Sequence, residues 1–152
     1  MRKDIVRLAK IIRESVDNGG KVLVCGNGGS ATQADHFAGE LVSDGVPAIP
    51  LTNVAMITAL ANDYGFEHVF EKQVMSQGRR GDVLICLTTS NDSLNIRRAT
   101  VAATAKGIHA FTITHKSATK DVFTDVIPVN NSGTQGIQED TLKLLHQLWK
   151  EI

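Results

Sequence analysis

The stretch Val22-Leu-Val-Cys-Gly-Asn-Gly-Gly-Ser-Ala31 runs an apolar strand straight into a glycine-rich turn and then into helix-forming sequence. That order constrains the fold more than any other segment, because a buried strand, a tight turn and a helix together make the opening of a βα unit. Gly26, Gly28 and Gly29 let the backbone turn sharply and leave space above it. Ser30 is expected to cap the following helix, whose free N–H groups and dipole favour an anion such as phosphate. The turn lacks the six-residue glycine fingerprint of dinucleotide sites and the lysine of a P-loop. A packing turn and a phosphate or sugar contact both remain open at this point.

The rest of the chain repeats the same grammar. Ile5, Leu8, Ile11, Ile12 and Val16 recur at helical spacing, and Asn18-Gly19-Gly20 ends that helix before a strand over 21–25. A helix over 30–42 leads through Ser43-Asp44-Gly45 to a short strand over 48–51, closed by Thr52-Asn53, and helical sequence resumes at Val54. It continues over 66–77. Gly78-Arg-Arg-Gly-Asp82 then turns into the apolar run 83–87, followed by Thr88-Thr-Ser-Asn-Asp-Ser93. A helix to Lys106, a strand over 108–113, a weakly helical piece, a strand over 126–129 and a final helix over 134–151 complete the reading. Near-continuous apolar strands separated by helices predict a parallel sheet covered on both faces, with ligands at the carboxyl ends of the strands.

With 152 residues, 42% of them hydrophobic, the chain suits one domain with one sheet. Folding at this size buries roughly 68–70% of the unfolded chain's surface. Lys and Arg total 16 and Asp and Glu total 16, so the charge balance argues against a nucleic-acid partner; Arg79-Arg80 and Arg97-Arg98 are only local pairs. No run approaches the ~20 apolar residues that span a bilayer, and the amino-terminal segment is amphipathic, so the expectation is a cytoplasmic protein without a membrane partner. Cys25 and Cys86 each end an apolar run, which suits reduced, buried thiols.

Two further groupings carry chemistry. Thr88-Thr89-Ser90-Asn91-Asp92-Ser93 places four hydroxyls in six residues between a buried strand and a helix. One hydroxyl suffices for a helix cap, which Ser90 or Ser93 could supply, so the density points to a phosphate site without fixed positive charge. His36 and Glu40 stand four apart on one helix face, and Gln138, Glu139 and His146 lie on the last helix. These are candidates for acid/base or metal-ligand work. His146 sits among Leu142, Leu144, Leu145 and Leu148, which predicts partial burial, with Glu139 seven residues before it on nearly the same face. His68, His109 and His115 are read as surface or satisfied-core histidines.

Cys25-Gly-Asn-Gly-Gly-Ser30, His36-Phe-Ala-Gly-Glu40-Leu41, Asn62-Asp-Tyr-Gly-Phe66, Gly81-Asp-Val-Leu84, Thr89-Ser90 with Ser93, and Ile137-Gln-Glu139 with His146 resemble the SIS (sugar isomerase) domain. More narrowly, they resemble the phosphoheptose isomerases, in the same order and over nearly the whole chain. The resemblance implies a flavodoxin-like three-layer sandwich, a five-stranded parallel sheet with helices on both faces, spanning 1–152 as a single SIS domain. It implies a homo-oligomer, tetramer or dimer, with active sites at subunit interfaces. The implied reaction is aldose–ketose isomerisation of sedoheptulose 7-phosphate to glycero-manno-heptose 7-phosphate through an enediol, without an organic cofactor. Glu40 matches the family's general base and His146 its general acid. Asn27, Gly28, Ser30, Asn53, Thr88, Thr89, Ser90, Ser93 and Gln138 match substrate- and phosphate-binding positions. His36, Glu40, Gln138 and His146 match the ligands of a zinc ion found in some members.

The sequence also departs from the family pattern. Thr88 stands in place of a serine and Asn91-Asp92 in place of Gly-Asn, which brings an extra carboxylate towards a dianionic phosphate. Asn53 replaces an aspartate, Asp44 an arginine, and Gln135-Gly136 a pair ending in arginine. The chain begins where the family's second helix would, so the usual first helix is expected to be absent. The competing expectation is a non-catalytic SIS module that binds a phosphosugar or a protein partner, of the replication-initiator-associating type. Such relatives lack the glutamate and histidine found here at 40 and 146.

Overall fold

The computed structural model describes residues 2–118, Phe123 and 125–152. Five strands, β1 (Val22–Gly26), β2 (Ala48–Pro50), β3 (Val83–Leu87), β4 (His109–His115) and β5 (Val126–Val129), alternate with six α-helices. These are α1 (Arg2–Asp17), α2 (Gly29–Ser43), α3 (Val54–Tyr64), α4 (Val69–Gln77), α5 (Leu94–Ala105) and α6 (Gly133–Trp149), with a 3-10 turn over Phe66–His68 between α3 and α4. All strands pair in parallel in the order β2-β1-β3-β4-β5. This is the flavodoxin-like arrangement expected from the sequence, and its strand order reverses between β1 and β3.

Strand residues point alternately to the two faces, and each face is buried by its own helices. Val22, Val24, Val83 and Ile85 pack with Leu8 and Ile12 of α1, Phe37 and Leu41 of α2, and Leu144, Leu145 and Leu148 of α6. Leu23, Leu84 and Ile108 pack on the other face with Phe70 and Val74 of α4 and Ile96, Ala99 and Ala103 of α5. Both central strands are buried at every position, which explains their unbroken apolar sequence. At the amino ends of the central strands the Asp82 carboxylate accepts from the Lys21 and Arg79 backbone N–H groups, at 3.0 and 2.8 Å, and from Lys21 Nζ at 2.6 Å. It thereby sets the start of β1 against that of β3.

One expectation shifts, one lies partly outside the described residues, and the two cysteines are free and buried as expected while also meeting across the sheet. Strand β4 runs on to His115, because Thr114 and His115 pair with Pro128 and Val129 of β5 although they are not apolar. The piece expected to be weakly helical before β5 falls in part on residues 119–122 and 124, which lie outside the described residues. Cys25 and Cys86, separate in sequence, are register partners on neighbouring strands with Sγ atoms 3.5 Å apart, both buried and free. The hydrogen bond to Cys25, and then burial, push the Cys86 thiol well above its ordinary pKa.

Helix α3 differs from the others in having no buried residue. Val54 is 74% exposed, Met56 and Tyr64 on the same helix are exposed, and so are Phe66 and Met75 on the elements that follow. No helix among the described residues is long and apolar enough to cross a membrane.

Candidate active site

The carboxyl ends of β1 and β3 lie side by side because those strands are register partners from Val22↔Val83 to Gly26↔Leu87. The glycine turn after β1 and the hydroxyl loop after β3 therefore meet at the point where the strand order reverses, the usual ligand crevice of such sheets. A reciprocal amide pair joins them. Asn27 Nδ2 donates to Asn95 Oδ1 at 3.0 Å, and Asn95 Nδ2 donates back to Asn27 Oδ1 at 2.8 Å. Asn95 is 3% exposed, and its Oδ1 also accepts from the Ile96 N–H at 2.9 Å.

Ser30 does not cap α2. Gly28 takes the N-cap position at φ 55°, a backbone conformation open mainly to glycine, and no side chain caps there. The helix therefore begins one residue sooner than the sequence suggests, and buried Ser30 lies within its first turn, its N–H bonded to the Asn27 carbonyl at 3.0 Å. No side chain caps this terminus, and the Ser30 and Ala31 N–H groups turn to the Asn27 and Gly28 carbonyls at 3.0 Å each, so what the helix end offers an anion is chiefly its dipole.

The hydroxyl loop is folded on itself: Thr88 Oγ1 donates to the Ser90 carbonyl at 2.9 Å and accepts the Ser90 N–H at 3.3 Å, and Ser90 Oγ accepts the Asp92 N–H at 3.4 Å. Ser93 is the N-cap residue of α5, but its side chain makes no capping bond. Its Oγ lies 3.4 Å from Thr88 Oγ1 and 3.4 Å from Ser90 Oγ, so three hydroxyls gather at the start of α5. Thr88 is buried, Thr89 half-buried and Ser90 exposed, a gradient from strand end to open cleft. Capping alone does not account for this cluster.

The candidate acid/base groups converge across two helices. His36 and Glu40 sit one turn apart on α2, and α6 packs beside α2 so that His146 meets them. His36 Nε2 is 3.1 Å from His146 Nε2, with the rings edge to face at 77°. Glu40 Oε1 is 3.4 Å from His36 Nε2 and 3.5 Å from His146 Nε2. Glu40 is half-buried, and its Oε2 is buried without a hydrogen-bond partner, which is costly for a carboxylate oxygen unless a ligand or proton uses it. His146 is half-buried, as its leucine-rich context predicts.

Two imidazole nitrogens and a carboxylate oxygen form a donor set suited to zinc. A tetrahedral ion with bonds of roughly 2.0–2.1 Å has ligand atoms about 3.3–3.4 Å apart, and the separations here are 3.1, 3.4 and 3.5 Å. These three residues therefore fit a metal.

Other predicted residues take different places. Gln138 lies with the glycine turn: a Cβ on Gly29 would come within 2.5 Å of its Nε2, and its carbonyl accepts from Gln33 Nε2 at 2.7 Å. Gly29 precedes His36 by seven residues, about 10 Å along the helix, so the Gln138 amide would have to leave the turn to join the histidines. Asn53 caps α3, accepting the Met56 N–H at 3.0 Å. Glu139 is exposed on α6 and outside the trio. His68 is tied to Glu71 at 2.6 Å and His109 is exposed at the start of β4. His115 instead lines a cleft with Thr89, Ser90 and Asn91. Asn95, invisible as a lone amide at a helix start, becomes interpretable once the sheet order brings β1 beside β3.

The SIS domain family matches residues 1–115. Sheet order, crevice and match together define an SIS domain. The phosphoheptose isomerase of Neisseria gonorrhoeae (strain NCCP11945) is 39% identical over 94% of this chain and 79% of its own length. That of Thermodesulfovibrio yellowstonii is also 39% identical, over 95% and 76%. The solved structure of phosphoheptose isomerase GmhA from Neisseria gonorrhoeae superposes with a TM-score of 0.91 at 37% identity, covering 97% of this chain and 84% of the other. The chain belongs to the phosphoheptose isomerase family.

Proposed function

We infer that this chain isomerises sedoheptulose 7-phosphate to D-glycero-D-manno-heptose 7-phosphate. The observation that carries the reading is the meeting of His36, Glu40 and His146 beside an anion-suited crevice, with one Glu40 oxygen buried and unpartnered. In the ketose-to-aldose direction, Glu40 takes a proton from C1 while His146 donates one to the C2 carbonyl oxygen, giving an enediol. Glu40 then returns its proton to C2 as the O1 hydroxyl loses its own to His146, leaving the C1 aldehyde and both side chains as they began. Positioned groups of this kind each contribute about 10²–10⁴-fold. The Glu40 Oε1 contacts to both rings orient the carboxylate beside the histidines.

Ser30, Thr88, Thr89, Ser90 and Ser93 receive the phosphate, with the amide-bearing starts of α2 and α5 supplying partial positive charge. Asn27, Gly28 and Gln138 face the sugar from the glycine turn, and Asn53 closes the β2 side. His36, Glu40 and His146 would hold zinc, which when bound would polarise the substrate carbonyl as a Lewis acid in place of the proton from His146, whose Nε2 cannot both ligate and donate. The chain acts in the cytoplasm as a homo-oligomer on this reading, and helix α3, apolar and unburied, supports the assembly.

The test is an NMR time course of sedoheptulose 7-phosphate with the protein, with and without added zinc, and with Glu40→Gln as control. Aldose phosphate is expected with the unmutated chain, and Glu40→Gln should lower kcat by about 10²–10⁴-fold while phosphosugar binding persists. Unchanged turnover in that variant would remove Glu40 as the base.

A further inference from the structure

We propose that His115 is a phosphate-contacting residue, its Nε2–H donating to the substrate's phosphoryl group from the wall opposite the hydroxyl loop. The proposal takes the phosphosugar reading as its premise and adds to it a residue from β4, a strand that otherwise contributes nothing to the site.

The placement follows from the sheet. Leu87 of β3 is level with Ile113 of β4, and the Thr88 N–H bonds to the Ile113 carbonyl at 3.2 Å. His115 stands two residues further, about 6.6 Å along the strand, level with the loop that follows β3. It shares the face of Ile113, which belongs to the core beneath α6. Pairing of His115 with Val129, and of the Lys116 N–H with the Val129 carbonyl at 3.0 Å, fixes this end of β4. The result is a cleft of 140 Å³ lined by Thr89, Ser90 and Asn91 and by His115, Ser117, Ser132, Gly133 and Ile137; of the residues assigned to the phosphate, Thr89 and Ser90 are the two that line it. It is smaller than the roughly 300–1,000 Å³ of whole-ligand pockets, so it suits one end of a substrate.

The ring's chemistry is set by its neighbour. The Ser117 backbone N–H donates to His115 Nδ1 at 3.2 Å, and Ser117 Oγ lies 2.7 Å from the same nitrogen. With Nδ1 accepting, the neutral ring carries its proton on Nε2, so it presents a donor in either protonation state. Among the described residues lining the cleft, His115 alone can carry positive charge. The hydroxyl loop has no Lys or Arg and carries the carboxylate of Asp92. A dianion bound there gains from a cationic or N–H donor on the facing wall.

The experiment compares the unmutated protein with His115→Ala and His115→Gln. It measures KM and kcat for sedoheptulose 7-phosphate, and binding of inorganic phosphate by calorimetry. His115→Ala should raise KM and the phosphate Kd together by about 10-fold, the scale of one hydrogen bond to a charged group. Its kcat should stay within about twofold. His115→Gln, whose amide N–H can reach the same position, should recover most of both losses. An unchanged phosphate Kd in His115→Ala would overturn the assignment, as would a loss confined to kcat or a failure of the unmutated chain to bind inorganic phosphate. If the unmutated chain binds phosphate but turns nothing over, the isomerase reading fails while the phosphate Kd still decides for or against His115.

Discussion

The amide pair between Asn27 and Asn95 makes the crevice a single unit, and Asn95→Ala tests this. The substitution removes two amide hydrogen bonds, of 3.0 and 2.8 Å, each worth about 0.5–1.5 kcal/mol net. The Ile96 N–H loses the Asn95 oxygen but keeps its 3.1 Å bond to the Ser93 carbonyl, so no backbone donor is orphaned. Asn27 is half-buried, and water can reach part of its freed amide. The expected cost is about 2 kcal/mol, or about 4–8 °C in Tm for a chain of this size. A double-mutant cycle with Asn27→Ala, followed by thermal or urea unfolding, isolates the pair: a coupling energy of about 1–2 kcal/mol is expected. KM for the phosphosugar should rise in both single variants, because the glycine turn and hydroxyl loop lose their common register. Additivity within about 0.5 kcal/mol, or an Asn95→Ala variant with unchanged Tm, would refute the reasoning.

Gly29→Ala separates site from fold. Its new Cβ would fall 2.5 Å from Gln138 Nε2, the free end of a flexible side chain, so the amide should swing away. KM should rise severalfold while stability changes by less than about 1 kcal/mol; a much larger loss would place the strain in the backbone instead. At the sheet centre, Cys86 should resist thiol reagents in the native protein and react on unfolding, as followed with a chromogenic disulfide. Its folded pKa is raised, so as pH climbs beyond the ordinary thiol range the unfolded chain releases a proton that the folded chain retains, and stability falls. Rapid native labelling, or rising stability between pH 8 and about 10, would contradict this.

The fold was legible where periodicity alone decides it. Strands β3 and β5 lie where the apolar runs place them, β1 shifts by one residue at both ends, and β2 stops one residue sooner. The extension of β4 was hidden because Thr114 and His115 carry no apolar signal, and only their pairing with β5 makes them strand. The cap of α2 was misassigned to Ser30 because a positive φ at Gly28 leaves no mark in sequence beyond the glycine itself. The glycine turn, the hydroxyl loop and the His36/Glu40 pair could each be read locally. Joining them required the strand order, and so the Cys25–Cys86 contact, the Asn27–Asn95 pair and the position of His115 emerged only in three dimensions. The non-catalytic alternative loses its footing where His146 crosses from α6 to meet Glu40.

Helix α2 begins beside the hydroxyl loop and carries His36 and Glu40 on its second and third turns. It is therefore a ruler. From Gly29 to those side chains is about 10–16 Å along the axis. With the phosphate received at that loop and Glu40 as base, as proposed above, a shorter or longer phosphosugar would present the wrong carbon, and chain length would be selected by a helix that need touch little of the sugar between its ends.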